Sequence, residues 1–153
     1  MAPGDLITTM EDPAIGYSYS LDLSGKASGM FTEVSGIGSE TDIVEVKAVD
    51  HHGRDFIKKV PGRLKFTDIT LKRGITSNLE FYNWRKQVED GNVAEARINA
   101  TITMYDQMLR PVAQWDLTNA WPSKITGPSL TADSAAVGIE ELTITYDFLV
   151  RKL

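Results

Sequence analysis

The chain contains no cysteine, which excludes disulfides and thiolate metal sites and fits a reducing, cytosolic origin. Histidine is scarce as well: His51 and His52 are the only two. Adjacent residues on an extended backbone point to opposite faces and do not chelate one ion together. With no thiolate and no third imidazole, only carboxylates such as Asp50 and Asp55 are left to complete a site, so no metal and no cofactor is expected. A nucleophilic triad fails for the same shortage of bases, and no G-x-S-x-G elbow occurs. Gly36-Ile37-Gly38 stands between strand-like segments, without the helix N-terminus that a phosphate loop requires. The acid pairs Glu89-Asp90 and Glu140-Glu141 read as solvated groups at element ends. Catalysis is not expected.

Other absences narrow the class further. The formal net charge is −5, without the basic excess of a nucleic-acid-binding surface. No apolar run approaches the length of a membrane span. The first residues, MAPGDLITTMEDPAIG, lack the basic and apolar regions of a signal peptide, so Sec-type export is not expected. What remains is ordinary for a globular protein: 153 residues, 42% hydrophobic and 24% charged, enough for one domain with a real core. A soluble, cytoplasmic, single domain is the expectation.

The segment from Val60 to Trp84 organises the pattern. Pro61-Gly62 reads as a turn, and Leu64 and Phe66 then alternate with polar residues at the period of a half-buried strand. The apolar positions change parity to Ile69 and Leu71, which predicts a β-bulge near Thr67-Asp68 within one long strand ended by Gly74. Ser77 and Glu80 have capping-box spacing ahead of a helix over about 78–90, with Gly91 as its stop. Phe81, Trp84 and Val88 share one face of that helix; Leu79 and Tyr82, beside Lys86, lie nearly opposite. This second patch has two readings. It contacts another surface, or it is simply two exposed apolar residues of the kind monomers carry.

Elsewhere, Pro3, Gly4, Pro13 and Gly16 mark residues 1–16 as an extended or flexible arm before a domain over 17–153. Alternation predicts strands over Tyr17–Leu23, Met30–Val34, Thr41–Val49, Ala96–Asp106, Val112–Thr118 and Ile139–Val150. The last is expected to bury Leu142, Ile144, Tyr146, Phe148 and Val150 together. Asp50–Lys59 reads as a polar, turn-rich segment that tips a hairpin or a long loop, and Asn119–Ser134 as a second loop containing Pro122, Gly127 and Pro128. The fold class is therefore mainly β: an antiparallel sandwich or barrel of about seven strands with one packed helix.

Several of these residues, in this order, resemble a known family. They are F-x-x-V-S-G-I (Phe31 to Ile37), K-V-P-G-R-L-K-F-T-D-I-T-L-K-R-G-I (Lys59 to Ile75), Phe81-Tyr82-Asn83-Trp84, Trp115, A-W-P-S-K-I-T-G-P-S (Ala120 to Ser129) and E-E-L-T-I-T-Y (Glu140 to Tyr146). Together they look like the tail tube family of contractile injection systems and contractile phage tails, over roughly residues 15–150. The resemblance implies an inner-tube subunit that forms hexameric rings stacked into a hollow tube inside a contractile sheath. Its partners would be further copies, sheath, spike and baseplate proteins, and a protein cargo in the lumen. Assembly would take place in the bacterial cytoplasm, the finished particle being released, membrane-anchored or retained.

On that reading Asp50, His51, His52, Arg54, Asp55, Lys58 and Lys59 are candidates for ring stacking between subunits. Leu79, Tyr82 and Lys86 are candidates for contact with sheath or neighbour. Asn99, Thr101 and Thr103, or Glu141, Thr143 and Thr145, would line the lumen as a polar wall, the alternative being an ordinary solvated face. Two other functions stay open. One is a phage tail tube conducting DNA. The other, from a different class, is a carbohydrate-binding β-sandwich with Trp115 and Trp121 as its platform.

Overall fold

The computed structural model describes residues 17–128 and 138–153. The expected arm over 1–16, and the second loop from residue 129 on, lie outside the described residues. Among these residues ten strands and two helices follow in order. They are β1 (Ser18–Asp22), β2 (Ser28–Phe31), β3 (Glu33–Ser35), β4 (Ser39–Val49), β5 (Asp55–Phe66) and β6 (Ile69–Gly74), then α1 (Glu80–Glu89) and α2 (Val93–Ala96). The chain closes with β7 (Ile98–Tyr105), β8 (Pro111–Thr126), β9 (Ile139–Thr145) and β10 (Phe148–Arg151).

All strand pairings among the described residues are antiparallel. Neighbours run β2-β1-β7-β8-β9-β6-β3, with β10 also on β8. Because β2 and β3 are separated only by Thr32, whose N–H donates to the Lys72 carbonyl at 2.9 Å, the path returns on itself as a small barrel. Closing the sheet removes most of the edges an open sheet would expose. Leu21, Phe31, Ile69, Leu71, Ala100, Ile102, Leu117, Leu142 and Ile144 fill the interior, as period-2 alternation requires.

The strand β8 serves both halves of the barrel. Up to Ala120 it pairs with β7, and from Trp121 to Thr126 with β9. Asn119, in the left-handed region with φ 54°, shifts its inward parity from Ala113 and Leu117 to Ala120 and Pro122. Asn119 Nδ2 donates to Asp147 Oδ2 at 2.9 Å, and its N–H to Asn99 Oδ1 at 3.2 Å. The strand beside it shifts at the same level. Leu142, Ile144 and Tyr146 are buried, but after Asp147 it is Leu149 that packs on the core. Phe148 and Val150, expected inside, are exposed instead.

Four further expectations change. Thr67-Asp68 is not a bulge, because the chain leaves one sheet there and enters another, so β5 and β6 have different partners. Pro61-Gly62 is not a turn. Two residues of β5, Gly62 and Arg63, stand opposite Asp42 alone, so the irregularity is a bulge on an edge strand that tolerates proline. Asp55 to Lys59 belong to β5 rather than to a loop, and Asn119 to Thr126 belong to β8.

The helix α1 lies against the barrel on Phe81 and Trp84, with Trp84 Nε1 donating to the Ala96 carbonyl at 2.7 Å. The Ser77 capping box does not form. Asn78 Oδ1 accepts from the Glu80 N–H at 2.9 Å, and Glu80 Oε2 reaches the Ser28 N–H instead. Gly91 does terminate the helix, at φ 88°, with the Asn92 N–H returning to the Gln87 carbonyl.

Candidate functional site

The feature that stands apart from the barrel is the β4–β5 ribbon, a sheet of only two strands. Direct partners across a ribbon share a face. Val44 with Val60, Val46 with Lys58 and Ala48 with Phe56 therefore make one face that is apolar except for Lys58. The other face carries Ile43, Glu45, Lys47, Val49, Ile57 and Lys59. Val44 and Val46 are 47% and 46% exposed, Phe56 45% and Ile57 59%, so neither face is covered by the other described residues. An isolated two-stranded hairpin is marginal in water, and an exposed apolar face of this extent marks an interaction surface.

At the ribbon's tip Asp50 builds the turn. Its Oδ1 accepts from the N–H groups of His52 and Arg54, both at 2.9 Å, and Gly53 adopts φ 77°. The ring centroids of His51 and His52 lie 4.0 Å apart, tilted by 43°, and both residues are exposed. No group of His, Cys, Asp or Glu able to hold a metal occurs among the described residues. Asp106 repeats the same turn between β7 and β8, accepting from the N–H groups of Arg110 and Met108 at 2.9 Å each. The Arg110 backbone N–H leads the causes that hold the Asp106 carboxyl below its usual range.

The ring-stacking candidates thus separate: Asp50, His51, His52 and Arg54 form the tip, while Asp55, Lys58 and Lys59 lie along β5. Leu79, Tyr82 and Lys86 do share the outward side of α1, with Leu79 and Tyr82 exposed and Lys86 3.8 Å from both Glu89 and Asp90. The two candidate polar walls lie in different halves of the barrel. Asn99, Thr101 and Thr103 are on β7, where Thr101 Oγ1 donates to Asp116 Oδ1 at 3.1 Å. Glu141, Thr143 and Thr145 are on β9, where Glu141 lies 3.5 Å from Lys72 Nζ and Thr143 Oγ1 meets Thr70 Oγ1 at 3.4 Å.

Trp115 packs against the core and the Arg151 guanidinium lies over its ring at 5.8 Å, so that ring face is not a free sugar platform. Sequence reasoning also missed three things. Arg73 occupies an inward position of β6, 6% exposed, ion-paired with Glu140 at 3.0 Å and set over the rings of Phe31 and Phe81. Its place in the Ile69-Leu71-Arg73 alternation was the available signal. The apolar face of the ribbon, and the exposed pair Phe148 and Val150 on β10, were missed because alternation was read as a single inside and outside.

Among the described residues a closed barrel carries an uncovered apolar ribbon, the kind of surface through which one chain joins another. The family model described as T4-like virus tail tube protein gp19 matches residues 16–149, and the chain belongs to that family. Among solved structures it is similar to a chain of an extracellular contractile injection system, the PVC sheath-tube complex in extended state. That likeness has a TM-score of 0.75 and 24% identity, covering 99% of this chain and 98% of the other. A chain of the anti-feeding prophage baseplate gives TM-score 0.73 at 18% identity, covering 94% and 97%. Hcp1 from Flavobacterium johnsoniae gives 0.52 at 16% identity, covering 87% and 93%. Comparison with curated protein sequences gives no match. No helix among the described residues is long and apolar enough to cross a membrane.

Proposed function

We propose that this chain, one domain over residues 17–153 preceded by an arm over 1–16, is the inner-tube subunit of a phage-tail-like contractile injection system. Copies join into hexameric rings, and rings stack into a hollow tube that a sheath surrounds and a spike and baseplate terminate. The carrying observation is the β4–β5 ribbon, whose apolar face has no cover among the described residues. A neighbouring copy supplies that cover and converts a marginal hairpin into part of a continuous wall. The tip residues Asp50, His51, His52 and Arg54, at the end of this ribbon, contact the next ring.

The outward side of α1, with Leu79, Tyr82 and Lys86, faces sheath or neighbour. One of the two polar walls, on β7 or on β9, lines the lumen and lets protein cargo pass without sticking. The similarity to a chain of a sheath-tube complex supports the tube reading. The second reading, a contractile phage tail tube conducting DNA, is favoured by the description of the matching family itself.

Negative-stain electron microscopy across a concentration series, with mass determination, tests the proposal. Rings or hollow stacks support it. A monomer at every concentration, persisting with spike and baseplate proteins present, overturns it.

A further inference from the structure

Building on the tube reading, we propose which strand edges join one copy to the next: the outer edge of β4 pairs with the free edge of β10 in a second copy. Closing the barrel leaves few unpaired edges, and these are two of them. Among the described residues β4 pairs only with β5, and β10 only with β8, so each presents a row of unpaired backbone N–H and C=O groups.

Continuity of backbone favours β4 over β5. Its eleven residues, Ser39–Val49, contain neither Pro nor Gly. By contrast β5 is broken by Pro61, which donates no hydrogen bond, and by the bulge at Gly62-Arg63. Side chains complement each other across the proposed joint. Val44 and Val46, half exposed on β4, match Phe148 and Val150, which are 59% and 50% exposed on β10.

Charge complements as well. Glu40, Asp42 and Glu45 make β4 acidic against a single Lys47, whereas β10 runs into Arg151 and Lys152. Glu40 and Glu45 form no ion pair among the described residues, so their charge is available to a neighbour. Two different edges of one chain meeting each other is a heterologous contact, which propagates head to tail and closes into a ring when the rotation allows. Strand addition of this kind draws affinity from main-chain bonds and specificity from the flanking side chains.

The absence of cysteine from the chain makes the test clean. Val46→Cys and Val150→Cys are placed together in one chain and, separately, one in each of two chains, and treated with a short bismaleimide. The doubly substituted chain is expected to give a ladder of covalent oligomers ending at the ring. Mixed single variants should stop at dimers, and either single variant alone should give none. Unchanged melting of each single variant shows that folding is intact. Dimers from Val46→Cys alone would mean that β4 meets β4 and would overturn the inference. Rings visible by microscopy but without cross-links would overturn it while leaving the tube reading standing. Absence of rings under every condition would remove both.

Discussion

Arg73 holds together the three elements that meet where the barrel closes, and replacing it tests that role. The guanidinium lies on β6, its Nε 3.0 Å from Glu140 on β9, 5.2 Å above the ring of Phe31 on β2 and 5.0 Å from that of Phe81 on α1. Arg73→Met keeps the volume but leaves Glu140, whose side chain is 17% exposed, without its counter-charge. Breaking a buried pair from one side costs about 3–5 kcal/mol, and residual water at Glu140 puts this case near the lower end. Two lost cation–π contacts add about 0.5–1 kcal/mol each, partly offset by sulfur–aromatic contact.

The expected loss is therefore about 3–4 kcal/mol. At this chain length it lowers Tm by roughly 10 °C. Arg73→Met combined with Glu140→Leu removes the orphaned charge and should return to within about 1 kcal/mol of the parent. Arg73→Lys keeps the charge but not the planar stack, and should fall between. Urea unfolding at one fixed protein concentration measures all four, since assembly is linked to stability. A loss under about 1 kcal/mol in Arg73→Met, or a double variant no better than the single, would refute the reasoning.

Three other predictions concern turns. Gly36→Ala forces a Cβ against the Asp68 carbonyl oxygen at a φ of 87°, so it should lower stability by more than about 2 kcal/mol in thermal melts. Leu109 adopts φ 60° in the turn where the ribbon's equivalent turn has Gly53; Leu109→Gly should stabilise by up to about 1 kcal/mol, read as a higher Tm. Asp106 has its folded pKa depressed, chiefly by the Arg110 backbone N–H. Its contribution is present above the unfolded carboxylate pKa and is lost as pH falls through the folded one. Asp106→Asn should therefore flatten the acid limb of the stability–pH curve, as followed by circular dichroism.

Alternation made much of the fold legible. Strands β1, β4, β7 and β9 fall where the period-2 pattern places them, and Phe81, Trp84 and Val88 form the buried side of the helix as 3.6-periodicity requires. The pattern reports faces, however, and not partners. The parity change at Thr67-Asp68 was visible, but a bulge and a change of sheet leave the same trace in a sequence. Pro61-Gly62 and Pro122 carry turn chemistry yet lie within strands, because an edge strand or a bulge accommodates what a central ladder does not.

Asn119 shifts β8 by one residue and Asp147 answers it across the ladder, a correlation between distant positions that no local window contains. Burial likewise separates Phe148 and Val150 from Tyr146 only once that shift is known. The tip Asp50–Arg54 was legible as a turn. The extent of the strands flanking it was not, since the charged residues after it belong to a strand that runs from the tip back to the barrel at Phe66. Tyr146 shows the same limit. Its phenol donates to the Thr67 carbonyl at 2.7 Å, and burial with the nearby Asp68 charge raises its pKa to about 12.

The sixteen residues of β8 also decide how the subunit bears load. A pull along this strand loads its hydrogen bonds to β7 in one half and to β9 in the other in shear, so many must fail together. A pull across it would open the same bonds one after another, like a zip. A single covalent backbone running through both halves thus makes the barrel stiff along one direction and weak across it. Single-molecule stretching between cysteines placed at either end of β8, set against stretching across it, measures that difference in stiffness.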